Sequence, residues 1–311
     1  YLYLYKNQFD KAWQLFESRK ETSKFLKSKN KLIINQASIA KEETILNKKI
    51  LVLREQGIGE EILFSSIYKE LINLNKNISI ETDKRLINIF ERSFECNLFV
   101  PDGYYSKNKE MLKKFDSIIF AGSLCSYFRK NKSNFLNKPY LIEDFNKTAE
   151  IKKDPVFKKN DLKIGLSWKS VVSIYGKLKS LNLSDFKSLI KKNRQFINLQ
   201  YGDVDEEIKK KVNQDFNIYS FEKIDLFNDL EFLMSILKNL DVFVTVSNST
   251  AHLASAMGVK TFLICTKKSS TYFYWSNENN KTPWYQNVEI FNIDDSIEEL
   301  FKKINESLNN L

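Results

Sequence analysis

The chain has 311 residues, 42% of them hydrophobic and 28% charged, with a mean hydropathy of -0.40. That is enough apolar material for one large or two medium cores, while eight glycines, four prolines and one histidine exclude collagen-like, linker-like and His-rich metal chemistry. The net charge of +10 rests on 43 lysines and only six arginines, scattered along the chain, so it reads as solvated surface and not as a nucleic-acid footprint. A weak attraction to anionic lipid stays open, and with it a peripheral contact at the inner face of a membrane.

Three distant cysteines, Cys96, Cys125 and Cys265, give neither a disulfide framework nor a metal spacing. No apolar run reaches the length of a membrane span and no signal peptide opens the chain, so a cytoplasmic protein is expected. The first residue is Tyr1 and not Met, which reads as a segment of a longer protein.

Residues 1–40 read as helical, with Leu2, Tyr5, Phe9, Ala12, Trp13 and Phe16 at helical spacing. A helix pair this short must pack on the rest of the chain or on upstream repeats. From Lys49 the pattern changes to an apolar run (50–53), then Gly57 and Gly59, then a helix beginning near Glu60. Strands and helices alternate through NISIET, 84–95, NLFVP and DSIIFAG. Residues 131–160 are lysine-rich, carry Pro139 and Pro155, and read as the connection between domains. A second alternating series runs from LKIGLSW (162–168) through a helix at 184–192, FINLQYG, a helix near 205–213, NIYSF, a helix at 229–240, DVFVTV, a helix at 250–257 and TFLIC, to a final amphipathic helix at 296–311. The reading is α/β: a helical segment over 1–46, a parallel-sheet domain over 47–150 and a second over 151–311.

Ligands of open parallel sheets bind beyond the carboxyl ends of the strands. Three segments there carry polar residues. In EQGIGEE, Gly57 and Gly59 are expected to allow a tight turn, and Glu60 is either a helix-capping acid or a catalytic one. In SWKS and GKLKS, Trp168, Lys169 and Ser170 end a strand, with Lys177 and Lys179 expected in the following loop, where cationic groups suit phosphate oxygens. In DVFVTVSNSTAHLASAMG a strand runs into Ser247, Asn248, Ser249 and Thr250 and then into a helix of small residues, Ala251, Ala254, Ser255 and Ala256, with His252 on its first turn; the free amides at that helix start form an anion site. The lone histidine is there either as a packed residue or as part of that site. Asp203 and Asp205 form an acidic pair that reads better as a solvated helix start than as a metal site.

Taken together and in this order, LVLREQGIGEEILF, FAGSLCSYFR, IGLSWKS, INLQYGD, LDVFVTVSNSTAHLASAMGVKTFLI and KTPWYQNVEIF resemble a known family. It is the heptosyltransferase-like glycosyltransferase domain (the ADP-heptose:LPS heptosyltransferase superfamily) found after tetratricopeptide repeats in bacterial proteins. YKNQFDKAWQLFESRK resembles the closing repeat helix. The resemblance implies a GT-B architecture of two Rossmann-like domains, the second holding a nucleotide-diphosphate sugar. It implies inverting, metal-independent sugar transfer without a cofactor. Glu60 falls on the family's acid, where Asp is more usual; Glu is longer by one methylene. Lys179 matches a phosphate-contacting lysine, and Ser249, Thr250, Ala251 and His252 match the diphosphate-binding helix start. Trp168, Lys169 and Ser170 match the strand end beside the donor, and Gln200 is placed to meet the base or ribose. The implied partners are a nucleotide sugar and a glycan, lipid-linked saccharide or protein acceptor, with no nucleic acid. Other readings of the same residues are a sugar-nucleotide-binding module without transfer, a scaffold protein, and a GT-B-like epimerase or hydrolase.

Overall fold

The apolar runs at 50–53, 78–82, 99–101 and 117–120 form one parallel sheet, and six later runs form another. The computed structural model describes residues 1–22, 31–170, 173–212, 217–222, 224–266, 272–275, 280–293 and 296–311. The chain divides into two compact units, Tyr1–Asn137 and Lys138–Leu311. Residues 138–150, placed by the sequence reading with the first sheet, pack with the second unit. Residues 1–22 pack within the first.

In the first unit, α1 (Leu2–Tyr5), α2 (Phe9–Phe16), α3 (Lys31–Gln36) and α4 (Glu42–Asn47) precede β1 (Ile50–Leu53). Then come α5 (Ile58–Ser65), α6 (Tyr68–Leu74), β2 (Ile78–Thr82), α7 (Ile87–Phe94), β3 (Phe99–Pro101), α8 (Lys109–Leu112), β4 (Ser117–Phe120) and α9 (Cys125–Phe128). The strand order is β3-β2-β1-β4, all parallel, with Ile50 opposite both Ile78 and Ser117. Every residue of β1 is buried, as a central parallel strand requires. Leu51, Leu53, Ile118 and Phe120 pack with Ile33 and Leu112. Residues 23–30 of the predicted helical region lie outside the described residues. The rest of that region is fastened to the unit: Trp13 donates its indole N–H to the Arg129 carbonyl at 2.8 Å, and Phe9 meets the Phe135 ring at 4.7 Å.

The second unit holds α10 (Phe145–Ile151), α11 (Pro155–Lys158), β5 (Leu162–Ser167), α12 (Ser173–Lys179), β6 (Arg194–Asn198), α13 (Asp205–Val212) and β7 (Ile218–Tyr219). It continues with α14 (Leu230–Lys238), β8 (Val242–Val246), α15 (Ser249–Ala256), β9 (Thr261–Cys265), β10 (Val288–Asn292) and α16 (Ile297–Asn309). Its order is β10-β9-β8-β5-β6-β7, again all parallel. The first strand of the unit lies beside the fourth, and the chain winds outward from that pair in both directions. This is the doubly wound Rossmann order, with its switch point between β5 and β8. The first unit repeats the same pattern with its switch between β1 and β4.

Both switch pairs are fastened in the same way at the amino end. The Asp116 carboxylate accepts the Lys49 amide at 2.7 Å while the Lys49 carbonyl accepts the Asp116 amide. In the second unit Asp241 and Lys163 make the same reciprocal pair, at 2.6 and 3.0 Å. The carboxyl ends of the two strands are free of this clasp and diverge into polar turns.

Several expectations shift by local chemistry. Lys177 and Lys179 lie in α12 and not in a loop. The helix expected at 184–192 is a 3-10 helix over Leu183–Leu189, with Asn182 and Asp185 capping each other. The connection expected over 131–160 contains α10 and α11, started by Asp144 and by Asp154 followed by Pro155. Asn213 of the helix predicted at 205–213 lies outside the described residues.

Gly258 closes α15 with a left-handed φ of +80°, and a Cβ there would stand 2.5 Å from Pro139 Cγ. A rigid ring cannot swing away, so strain and overlap add. Gly258→Ala should destabilise the second unit by about 2 kcal/mol or more, read as a lower urea midpoint with an unchanged m-value.

Candidate functional site

In the second unit the carboxyl ends of β5, β6 and β8 carry the predicted residues. β5 stops at Ser167, so Trp168, Lys169 and Ser170 form the turn beyond it. The turn is shaped by Gln200, which is buried. Its Oε1 accepts the Trp168 amide at 2.9 Å, the Lys169 amide at 2.7 Å and the Ser167 hydroxyl at 3.0 Å, and its Nε2 donates to the Tyr201 carbonyl. Both ends of the side chain are therefore engaged within the protein. Gln200 holds the turn.

Trp168 is fully buried, and its indole N–H donates to Glu207 at 3.1 Å. The Lys169 ammonium meets the same carboxylate at 2.5 Å, and the Leu183 amide donates to its other oxygen. Burial would raise the Glu207 carboxyl, but the bonds from Lys169, Leu183 and Trp168 hold it below its usual value. Trp168 thus acts as core, while Lys169 is paired yet still 39% exposed. The Ser170 amide donates to the Ser180 hydroxyl at 3.1 Å.

At the end of β8 the chain turns through Ser247 and Asn248 into α15. Asn248 is the N-cap: its Oδ1 accepts the Ala251 amide at 2.9 Å, and its Nδ2 reaches back to the Ser167 hydroxyl at 2.9 Å. One side chain so joins the two switch-point strand ends. Ser249 and Thr250 are the first two residues of the helix, and the amides of a first turn have no helical carbonyl to meet. Ala251, Ala254 and Ala256 are buried and leave the helix close to the sheet.

Lys179 is 7% exposed, with its ammonium 4.1 Å from the centre of the Tyr272 ring. Its charge acts on His252, in the first turns of α15. His252 is packed rather than presented. Its ring lies 4.7 Å from Trp275 in a stacked arrangement, and Nδ1 meets the Tyr285 hydroxyl at 3.0 Å. Burial, with a smaller push from Lys179, takes its pKa down to about 3, so the ring is neutral at pH 7. Asp203 and Asp205 are exposed at the start of α13.

In the first unit β1 ends into Arg54, Glu55 and Gln56. The left-handed position of this turn falls on Gln56, at φ +60°, and not on a glycine. Gly57 is extended and serves as N-cap of α5, while Gly59 lies inside the helix. Space explains Gly57: a Cβ there would stand 3.1 Å from Glu60 Oε2. Glu60 is the third residue of α5, so its carboxylate folds back over the helix start, where the helix dipole favours it.

Sequence reasoning missed the groups around Glu60. Glu55 is 1% exposed, accepts the Gly122 amide at 2.5 Å, and takes a two-pronged bond from Arg19 at 2.7 and 2.8 Å. Glu61, also 1% exposed, accepts the Thr82 hydroxyl and the Asp83 amide and faces Arg54 at 2.6 Å. Burial raises the Glu61 carboxyl above its ordinary range despite Arg54. The available signal was the rarity of arginine. In a chain with 43 lysines, Arg19, Arg54, Arg85 and Arg129 each pair with a carboxylate.

Among the described residues no helix is long and apolar enough to cross a membrane, and no group of three or more His, Cys, Asp or Glu could hold a metal ion.

No family model matches the chain. It is 26% identical over 275 residues to Protein FlbA of Caulobacter vibrioides, a match covering 80% of this chain and 44% of that protein, so the chain spans less than half the length of this relative. Among solved structures it resembles the E. coli ADP-heptose LPS heptosyltransferase II, with a TM-score of 0.58 and 12% identity over 84% of this chain and 99% of that one. It resembles equally the glycosyl transferase family 9 protein of Veillonella parvula, with a TM-score of 0.56 and 12% identity over 86% and 90% of the two chains. The fold is therefore that of the heptosyltransferases.

The neutral histidine should make the protein more sensitive to acid. His252 binds a proton in the unfolded chain below about 6.5 and in the folded one only near 3, so stability is complete above pH 6.5 and falls as pH drops toward 3. Replacing it by Phe should flatten the pH dependence of the urea midpoint across that window by up to one proton, roughly 1.4 kcal/mol per pH unit. An unchanged slope would place the acid sensitivity elsewhere.

Proposed function

We propose that the chain is a glycosyltransferase that takes a sugar from a nucleotide-diphosphate sugar and passes it to a hydroxyl of a glycan, a lipid-linked saccharide or a protein. The observation that carries this reading is the β5/β8 switch point. There α15 begins beyond the central strand pair of a Rossmann-ordered sheet, and Lys179, 7% exposed, is near enough for its charge to act on His252 in the first turns of that helix. That is the setting in which such sheets bind nucleotides. The likeness of the whole fold to heptosyltransferases supports a sugar nucleotide over other nucleotides.

In this reading the amides of Ser249 and Thr250 and the Lys179 ammonium receive the diphosphate. They meet the charge that grows on it as the glycosidic bond breaks, and so bind the transition state more tightly than the ground state. Lys169 and Ser170 line the same strand end. Trp168, Gln200 and His252 support the site from within and do not touch the donor. Glu60 is the base: it removes the proton from the acceptor hydroxyl as that oxygen attacks the anomeric carbon from the face opposite the diphosphate, inverting its configuration. The positive charge at the diphosphate comes from protein groups, so transfer is metal-independent.

A thermal-shift screen against ADP-, GDP- and UDP-sugars identifies the donor, because a ligand at a hundred times its Kd stabilises the fold by about 2.7 kcal/mol. With that donor, Lys179→Ala should weaken binding about tenfold, close to 1.4 kcal/mol. Glu60→Gln should leave donor binding intact and lower transfer by about 10²–10⁴. Transfer by Glu60→Gln at the wild-type rate would remove Glu60 as the base. Donor cleaved at the same rate with and without any acceptor would favour a hydrolase or epimerase.

A further inference from the structure

The helical segment ahead of β1 does more than cap the unit. Arg19 reaches from that segment, in the 3-10 turn Glu17–Glu21 that follows α2, into the carboxyl end of the sheet, where it is 6% exposed. Its Nε and one terminal nitrogen bond both oxygens of Glu55, at 2.7 and 2.8 Å. The same terminal nitrogen meets the Ser123 hydroxyl at 3.0 Å, and the other meets the Phe16 carbonyl and Glu17 at 3.1 Å. Glu55 in turn accepts the Gly122 amide just beyond β4. One guanidinium thus fastens three pieces of backbone: the N-terminal segment, the end of β1 and the end of β4.

The turn bearing Glu60 begins at the next residue. Gln56 sits at φ +60°, a strained setting for a side chain, and Gly57 then opens α5. Such a turn keeps its shape only if its surroundings hold it.

Gly122 shows how closely this corner is fitted. A Cβ there would stand 2.5 Å from Glu55 Oε1, 3.0 Å from the Phe16 ring and 3.1 Å from the Phe64 ring. Phe16 belongs to the N-terminal segment and Phe64 to α5. Segment, acid and helix therefore share one packed contact.

We propose that Arg19 is a positioning residue for Glu60, so that the helical segment before β1 is a working part of the acceptor-activating half of the protein. The proposal rests on the reading of Glu60 as the base. Arg19 touches no reacting atom. It fixes Glu55, Glu55 fixes the turn, and the turn aims the carboxylate.

Arg19→Lys tests this, because it keeps the charge and loses the two-pronged bond, while Arg19→Met removes the charge as well. Backbone amide exchange should quicken at least tenfold at 56–60 and 121–123 in Arg19→Lys and stay unchanged at 167–170 and 248–251. Donor affinity should stay within twofold, and nucleoside diphosphate release in the presence of acceptor should fall at least tenfold. In a Glu60→Gln background the same change should lower release by less than twofold, because the group being aimed is already gone. Unchanged exchange at 56–60 overturns the proposal, whatever the activity. A loss of release as large without the Glu60 carboxylate as with it also overturns it. If Glu60→Gln keeps wild-type release, the assignment of the base fails, and the exchange data alone then decide whether Arg19 holds the turn.

Discussion

A parallel sheet leaves a hydrogen-bonding problem where its strands stop, and the shape of the turns at three of those ends depends on how it is met. Beyond the last paired residue, backbone N–H groups lose their ladder partners while still buried, and an unmet one costs about 1–3 kcal/mol. A long acceptor side chain from the neighbouring strand's end meets the need in three places. Glu55, after β1, takes the Gly122 amide after β4. Gln200, after β6, takes the Trp168 and Lys169 amides after β5. Glu81, at the end of β2, takes the amides of Gly103, Tyr105 and Ser106 after β3. Each acceptor also ties adjacent strands together where the ladder no longer can. The turn presenting Lys169 and Ser170 is thereby built by a residue that faces inward.

Charge follows the same division of labour. The lysines that give the chain its +10 are mostly solvated, and the arginines are placed where geometry matters. Arg19 and Arg129 are 6% and 1% exposed, and both bond a carboxylate and main-chain carbonyls. Arg194 bonds the Leu189 carbonyl and Asn305 and Asn309 of α16. A planar fork presents its donors in a fixed geometry, so several fixed acceptors are met with less loss of side-chain freedom than by an ammonium on a flexible stem. Removing one partner of such a buried pair leaves an uncompensated charge, which is why these contacts act as fasteners and not as interchangeable surface pairs.

What the sequence made legible was local. ILVL, VFVTV and TFLIC are continuous apolar runs, and buried parallel strands need nothing else to be seen. SNSTAHLASA announced a helix start because Asn, Ser and Thr favour that position, and the cap is Asn248. The roles decided by long-range contact were hidden. Gln200 looked outward on position alone, and only the strand pairing of β5 with β6 shows which amides it must take. Gly57 and Gly59 suggested the tight turn, but its left-handed residue is Gln56, and Gly57 is small to make room for Glu60. Arg19 could not be read at all, since its partner is 36 residues away in sequence.

The lone histidine sharpens the electrostatics of the second site. A charged imidazole beside the start of α15 would add a second cation to Lys179 and would repel it. Burial among Tyr274, Trp275 and Tyr285 instead keeps the ring neutral, with burial the larger cause and Lys179 the smaller. The positive end of the helix and the Lys179 ammonium then act without a second charge on the ring of His252. Lys179 is largely desolvated and leans on the face of Tyr272, so much of its hydration is already removed before a ligand arrives. A cation in that state gains more from meeting a phosphate oxygen than a solvated one does, because less water must be displaced to reach it.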